Sequence, residues 1–188
     1  MSAETPLTHL EVDVTFLEMT APPVRERAIM PPGLRTEHDV RLGLEEYRTL
    51  YTGVGREWCW WMRLVLPDHD LSRILERPTT HITLLREGAA VRGFYELDQI
   101  HARRSVNIAY FGLLPGALGR GAGRQFLRTA IDEAWSLGAE RVTVNTCTAD
   151  HPRALPLYLS EGFSVIRVVR ESWDIPAVFS LRRPAHLT

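Results

Sequence analysis

The feature that most constrains this chain is a glycine-rich loop between an apolar strand and an amphipathic helix, in residues 111–134. The loop, residues 118–123, reads Leu-Gly-Arg-Gly-Ala-Gly. Glycine allows positive φ and a close approach of backbone to ligand. The first N–H groups of a helix have no partner within it, and the helix dipole favours an anion there. The sequence therefore predicts a phosphate cradle, with a simple chain reversal as the alternative.

Length and composition bound the class of protein. The 188 residues predict one domain spanning 1–188, and the 45% hydrophobic and 24% charged residues are typical of a globular chain. A formal net charge of −1, without a basic stripe, predicts that the chain does not bind nucleic acid. Cys59 and Cys147 lack metal or disulfide spacing, and no signal peptide or membrane span is evident. These features predict a cytoplasmic protein without a metal.

Hydrophobic periodicity predicts an alternation of strands and helices. Strands are predicted at residues 10–16, 81–88, 90–98, 105–114, 140–147, 163–169 and 177–181. Helices are predicted at residues 39–52 and 68–75, after the glycine-rich loop, and from about residue 155. Pro-rich residues 21–35 are expected to form an extended connection.

An unusual aromatic run, Trp58-Cys59-Trp60-Trp61-Met62, precedes the β-rich part of the chain. Packing against the core is one interpretation of this run. The other is one wall of a substrate pocket, because such pockets are largely apolar and aromatic.

Two motifs in order make the chain resemble the Gcn5-related N-acetyltransferase (GNAT) superfamily. The first is Leu-Leu-Pro at residues 113–115 followed by Gly119, Gly121 and Gly123. The second, within residues 154–163, has the form A-x-x-x-Y-x-x-x-G-F. The resemblance implies an α/β (α+β) fold with a mixed, mostly antiparallel twisted sheet of about seven strands and about four helices. It covers a cofactor-binding core at about 82–181, with a variable acceptor-side segment at about 10–80.

The resemblance also implies that the loop binds acetyl-CoA. Backbone N–H groups would hold the pyrophosphate, arginines would add charge, and the β-strand edge would pair with the pantetheine arm. An N–H near the strand end could stabilise the oxyanion. The implied cofactor-binding residues are Phe111, Gly112, Leu113, Gly119, Arg120, Gly121, Ala122, Gly123, Arg124 and His151.

Two positions depart from the family pattern. Leu118 stands where members usually have Gln or Arg, and His151 stands where many have Asn. One phosphate contact is therefore in doubt, whereas His151 can still offer one hydrogen bond to the cofactor.

Transfer to an amine requires a base for the ammonium and an acid for the departing thiolate. Tyr158 occupies the family's acid position, with core packing as the alternative. The positions of bases in some members are Asn107 and Thr146 here, and neither can act as a base. Glu96 is the predicted base, directly or through water. The other candidates are Asp98, His101, His151 and water itself, and a covalent route through Cys147 is the less favoured mechanism.

The sequence thus predicts an acetyl-CoA-dependent N-acetyltransferase acting by direct attack in a ternary complex. The acceptor is expected to be a primary amine of a small molecule or peptide. The alternative is a non-catalytic acyl-CoA-binding sensor or partner-binding module, suggested by the residues at the two usual base positions. The resemblance further implies a homodimer through N- or C-terminal strands, whereas acyl chain length and acceptor identity stay open.

Overall fold

A computed structural model describes residues 6–187, which form one seven-stranded mixed sheet with four α-helices. The strands are β1 Leu7–Met19, β2 Leu34–Glu37, β3 Thr80–Glu87, β4 Ala90–Ile100, β5 Ser105–Leu113, β6 Arg141–Cys147 and β7 Ser164–Pro176. The helices are α1 Leu44–Gly55, α2 Asp68–Leu75, α3 Ala122–Ser136 and α4 Ala154–Ser160. The strand order is β2-β3-β4-β5-β6-β1-β7, and only the β5–β6 pair is parallel. The predicted fold class is confirmed.

The helices cover opposite faces of the sheet, because side chains along each strand alternate between the two faces. Helices α3 and α4 pack with Leu97, Ile108 and Val144 in one apolar cluster. Helices α1 and α2 pack on the other face against β3 and β4, around Phe94. A third cluster joins β1 to the aromatic run through Val14 and neighbouring residues. The first two clusters hold α3 and α1 on either side of β5.

Strands β5 and β6 separate partway along their length. Their pairing runs from Ser105 opposite Arg141 only to Ile108 opposite Val144. At the next residue, Ala109, β5 has a bulge against β4. A bulge bends its strand, so β5 turns away from β6 while remaining paired with β4. The backbone edge beyond the bulge is left without a partner strand on the β6 side.

The prediction of a final strand at residues 177–181 is wrong. Strand β7 continues unbroken to Pro176, and Ala177–Phe179 form a 3₁₀ turn. Strand β1 from the N-terminus lies between β6 and β7 in the sheet. Alternation of apolar residues identified β1 as a strand but did not specify its neighbours.

Two other boundaries differ from the sequence prediction. The predicted helix at 39–52 begins five residues later, and Asp39 adopts positive φ of 51° before it. The extended connection contains the short strand β2. The expectation that the chain has no signal peptide concerns residues that include 1–5, which lie outside the described part. Within residues 6–187, no helix is long and apolar enough to cross a membrane.

Candidate active site

A cleft of about 1230 Å³ opens where β5 and β6 separate. It runs from the glycine-rich loop to the aromatic segment after α1, and Tyr158 lies on its wall. The structure brings together on this cleft nearly all the residues predicted to bind the cofactor. Those lining it are Phe111, Gly112, Leu113, Gly119, Gly121, Ala122, Gly123, Arg124 and His151.

The glycine-rich loop forms an uncapped helix N-terminus at one end of the cleft. Gly119 and Gly121 have φ of 77° and 74°, and the space beside each Cα is open. Gly121 is the N-cap of α3 and provides no side-chain hydrogen bond to the first turn. Positive φ and unpaired N–H groups in a 15-residue helix suit a pyrophosphate, so the residues present fit the CoA thioester.

The two arginines predicted to add charge are both held by carboxylates. Arg124 lines the cleft, and its Nη1 donates to Glu161 at 2.7 Å. Arg120 lies outside the cleft lining, and its Nη2 donates to Glu87 at 2.8 Å. Hydrogen bonds from Arg120 and then Arg92 lower the pKa of Glu87 to about 2. The ion pair with Glu87 therefore fixes the Arg120 guanidinium outside the cleft lining in this structure.

Replacing Gly121 with alanine is expected to weaken CoA binding about tenfold. Alanine in the left-handed conformation costs about 1–2 kcal/mol. The loop therefore either leaves the conformation that binds the pyrophosphate or keeps it at this cost, and CoA affinity falls in both cases. Titration calorimetry with CoA measures the effect. The matched control is Gly138→Ala, because Gly138 has φ of 79° just beyond the other end of α3. Equal losses of affinity in both variants would contradict the assignment of the loop.

Tyr158 is placed on the cleft by the short helix α4. The residue is 6% exposed, and its ring packs edge to face against Phe163 at 5.9 Å. Within residues 6–187 its hydroxyl makes no hydrogen bond to protein. Burial, and then the nearby charge of Asp150, raises the pKa of Tyr158 above its ordinary value. The phenol therefore carries its proton at neutral pH, as a general acid requires.

Glu96 lies beneath the cleft and is not part of its lining. The residue is 0% exposed, accepts a hydrogen bond from Tyr47 Oη at 2.5 Å, and forms an ion pair with Arg63. Arg63 lines the cleft, and its guanidinium lies 5.1 Å from the centroid of Tyr110. Arg63 thus separates the cleft, where an amine would bind, from the predicted base Glu96.

Asp150 is a cleft carboxylate that the sequence analysis did not identify as a site residue. Its oxygens accept hydrogen bonds from Thr146 Oγ1 at 2.8 Å, the Cys147 N–H at 2.9 Å and Trp60 Nε1 at 3.2 Å. Thr146, at one of the positions where some family members have a base, thus orients the Asp150 carboxylate. Its place after β6, beside the parting of two parallel strands, is the signal that could have identified it.

The remaining base candidates are spread across the structure. Asp98 lines the cleft, whereas His101 lies in an exposed 3₁₀ turn away from it. Burial, and then the charge of Arg153, lowers the pKa of His151 below its ordinary value. Asn107 accepts a hydrogen bond from Thr143 at 2.9 Å. Among the described residues, no cluster of side chains suits a metal ion.

The aromatic run forms a roof over the far half of the cleft, where Trp58, Trp60 and Trp61 all line it. Trp60 packs 5.2 Å from Tyr110 of β5, and Trp58 packs 4.9 Å from His151. The structure thus combines both interpretations of the run, because the indoles pack against the protein and border the cleft.

Cys147 is expected to resist alkylation in the folded protein. Burial raises its pKa to about 12, so on the order of one thiol in ten thousand is ionised near pH 8. Intact-mass analysis after iodoacetamide treatment measures this, with a denatured sample as the control in which both cysteines react. Rapid alkylation of the folded chain, located at Cys147 by peptide mapping, would restore the covalent route to consideration.

The sequence matches a known protein family. The model of the acetyltransferase (GNAT) family matches residues 44–163, more than half of the chain. The chain therefore belongs to the GNAT family. A mycothiol acetyltransferase from Jonesia denitrificans is 32% identical over 105 residues, which are 53% of this chain and 33% of that protein. The aligned region thus spans about a third of that relative's length.

Solved structures show the same fold. A GCN5-related N-acetyltransferase from Sphaerobacter thermophilus matches with a TM-score of 0.64 at 17% identity, over 91% of this chain and 54% of that one. An aminoglycoside acetyltransferase from an uncultured soil metagenomic sample, solved with trehalose, matches with a TM-score of 0.55 at 16% identity. That match covers 69% of this chain and 88% of the other.

Proposed function

We propose that this protein transfers an acetyl group from acetyl-CoA to a primary amine by direct attack in a ternary complex. The observation that carries the proposal is a single cleft with an uncapped, glycine-rich helix N-terminus at one end and Tyr158 on its wall. The strand edge beyond Ile108, unpaired toward β6, supports pairing with a pantetheine amide. The similarity to a mycothiol acetyltransferase supports a small-molecule acceptor.

In the proposed reaction, the amine nitrogen attacks the acetyl carbonyl carbon of the thioester. The new C–N bond forms, the C–S bond breaks, and Tyr158 gives its phenolic proton to the departing thiolate. The proton lost from the amine passes to a carboxylate or to water, and solvent returns a proton to the tyrosinate. A backbone N–H near Leu113 would stabilise the oxyanion.

For the amine proton, the contacts favour Asp150 over direct transfer to Glu96. Asp150 lines the cleft and is near enough to Tyr158 to affect its titration. Glu96 is covered by Arg63, so its proposed role is to fix that guanidinium, or to act through a water chain. Asp150→Asn is then expected to lower kcat/KM more than Glu96→Gln does, and the comparison is made over a range of pH. The reverse order would favour Glu96.

The test of the function is incubation with acetyl-CoA and a panel of amines, including amino acid derivatives and short peptides. We expect thiol release that depends on the acceptor and a product that is one acetyl group heavier by mass spectrometry. Binding of CoA without any acetylated product would support the acyl-CoA-binding module instead. The hydrogen bond from Thr146 to Asp150 favours the enzyme. Thr146 stands at a usual base position, and it orients a nearby cleft carboxylate that could accept the amine proton.

We also propose that the protein forms a homodimer and is located in the cytoplasm. Strand β7 is at the edge of the sheet and exposes Val165, Ile166 and Val168, so it is the surface we propose for self-association. Cys59 and Cys147 are unpaired thiols, which suits a reducing compartment. Sedimentation of the wild type and a Val168→Lys variant tests the dimer.

A further inference from the structure

Two carboxylates of the cleft each accept a hydrogen bond from a tryptophan. Asp150 accepts from the Trp60 indole at 3.2 Å. Glu171 accepts from Trp173 Nε1 at 2.8 Å. Trp61, the chain neighbour of Trp60, packs edge to face against Trp173, with ring centroids 6.2 Å apart. All five side chains line the cleft, and we refer to them as the tryptophan row.

The charges along this row favour a cationic ligand. Among residues 6–187, Asp150 and Glu171 have no cationic partner within 4.0 Å, and their hydrogen-bond donors are neutral. The arginines of the cleft do not pair with them. Arg63 and Arg124 each already hold a buried carboxylate, and Arg153 forms no ion pair within 4.0 Å among the described residues. Carboxylates beside indole faces attract ammonium groups through charge and through the ring quadrupole.

Building on the proposed acetyl transfer, we infer that the acceptor carries two positive charges, as a short α,ω-diamine does. Asp150, next to Tyr158, faces the reacting amine. Glu171, with Trp61 and Trp173, faces a second ammonium group that stays protonated. The second site selects the substrate without taking part in the chemistry, so its loss affects KM for a diamine more than kcat.

The test compares matched acceptors of one length. The probes are 1,5-diaminopentane, pentylamine and 5-aminopentanoate, each assayed with acetyl-CoA. We expect kcat/KM for the diamine to exceed that for pentylamine about tenfold or more. Glu171→Gln should lower kcat/KM for the diamine to about the value for pentylamine. Asp174→Asn is the control, because Asp174 is the next carboxylate on β7, and its side chain bonds to His9, outside the cleft lining.

Binding of the diamine in the presence of CoA, followed by tryptophan fluorescence, separates this inference from the proposed function. Binding that Glu171→Gln weakens about tenfold, without acetylation, supports the dication site and contradicts acetyl transfer. Equal acetylation of diamine and pentylamine, or a preference for 5-aminopentanoate, overturns the dication site and leaves acetyl transfer intact. A diamine that neither binds nor reacts also overturns the dication site.

Discussion

Replacing Tyr158 with phenylalanine is expected to lower kcat about 10²- to 10³-fold and to leave CoA affinity unchanged. The substitution removes one oxygen from a side chain that is 6% exposed, so the ring and its packing against Phe163 remain. Without the phenol, the thiolate leaves without a proton donor. Steady-state kinetics and calorimetry on the same preparation measure the two quantities.

The pH profile distinguishes an acid from a packing residue. Because the pKa of Tyr158 is raised, the wild type is expected to keep its activity through neutral pH and to lose it only as the phenol ionises in strong base. The phenylalanine variant should lack that basic limb. Tyr95→Phe is the matched control, since Tyr95 donates to Glu133 at 2.6 Å away from the cleft. A Tyr158→Phe enzyme with wild-type kcat would remove the tyrosine from the acid role.

The cofactor end of the cleft could be predicted from sequence because local rules determine it. Positive φ at Gly119 and Gly121, and the apolar face of α3, depend on residues within one loop and one helix. Hydrophobic periodicity within short segments likewise predicted the strands observed as β3 and β4. The predicted cofactor residues outside this loop and helix came from the family resemblance, and they line the cleft as well: Phe111, Gly112, Leu113 and His151.

The acceptor end could not be predicted, because its parts meet only through long-range pairing. Glu171 reaches the cleft because β7 pairs with β1, where Val12 lies opposite Glu171. Glu96 could be identified from the sequence as a strand carboxylate. Its ion pair with Arg63, which follows the aromatic run, could not be predicted. Asp150 likewise became a site residue only when β5 separated from β6.

Arg63→Ala is expected to destabilise the protein by about 3 kcal/mol, because it leaves the Glu96 carboxylate buried with Tyr47 as its remaining side-chain donor. The Glu96 side chain is 1% exposed and that of Arg63 is 16%, so water screens the pair poorly. For a chain of this size, the loss corresponds to a fall in Tm of about 6–12 °C. Denaturant and thermal unfolding measure it.

A double variant tests whether the uncompensated charge is the cause. Adding Glu96→Gln to Arg63→Ala removes the buried charge and should recover most of the lost stability, since an amide costs less to bury than a carboxylate. Arg170→Ala is the control, because Arg170 contacts two carboxylates but its side chain is 65% exposed, where water screens an ion pair and its contribution to stability is small. A double variant no more stable than Arg63→Ala would attribute the loss to packing of the roof on Tyr110.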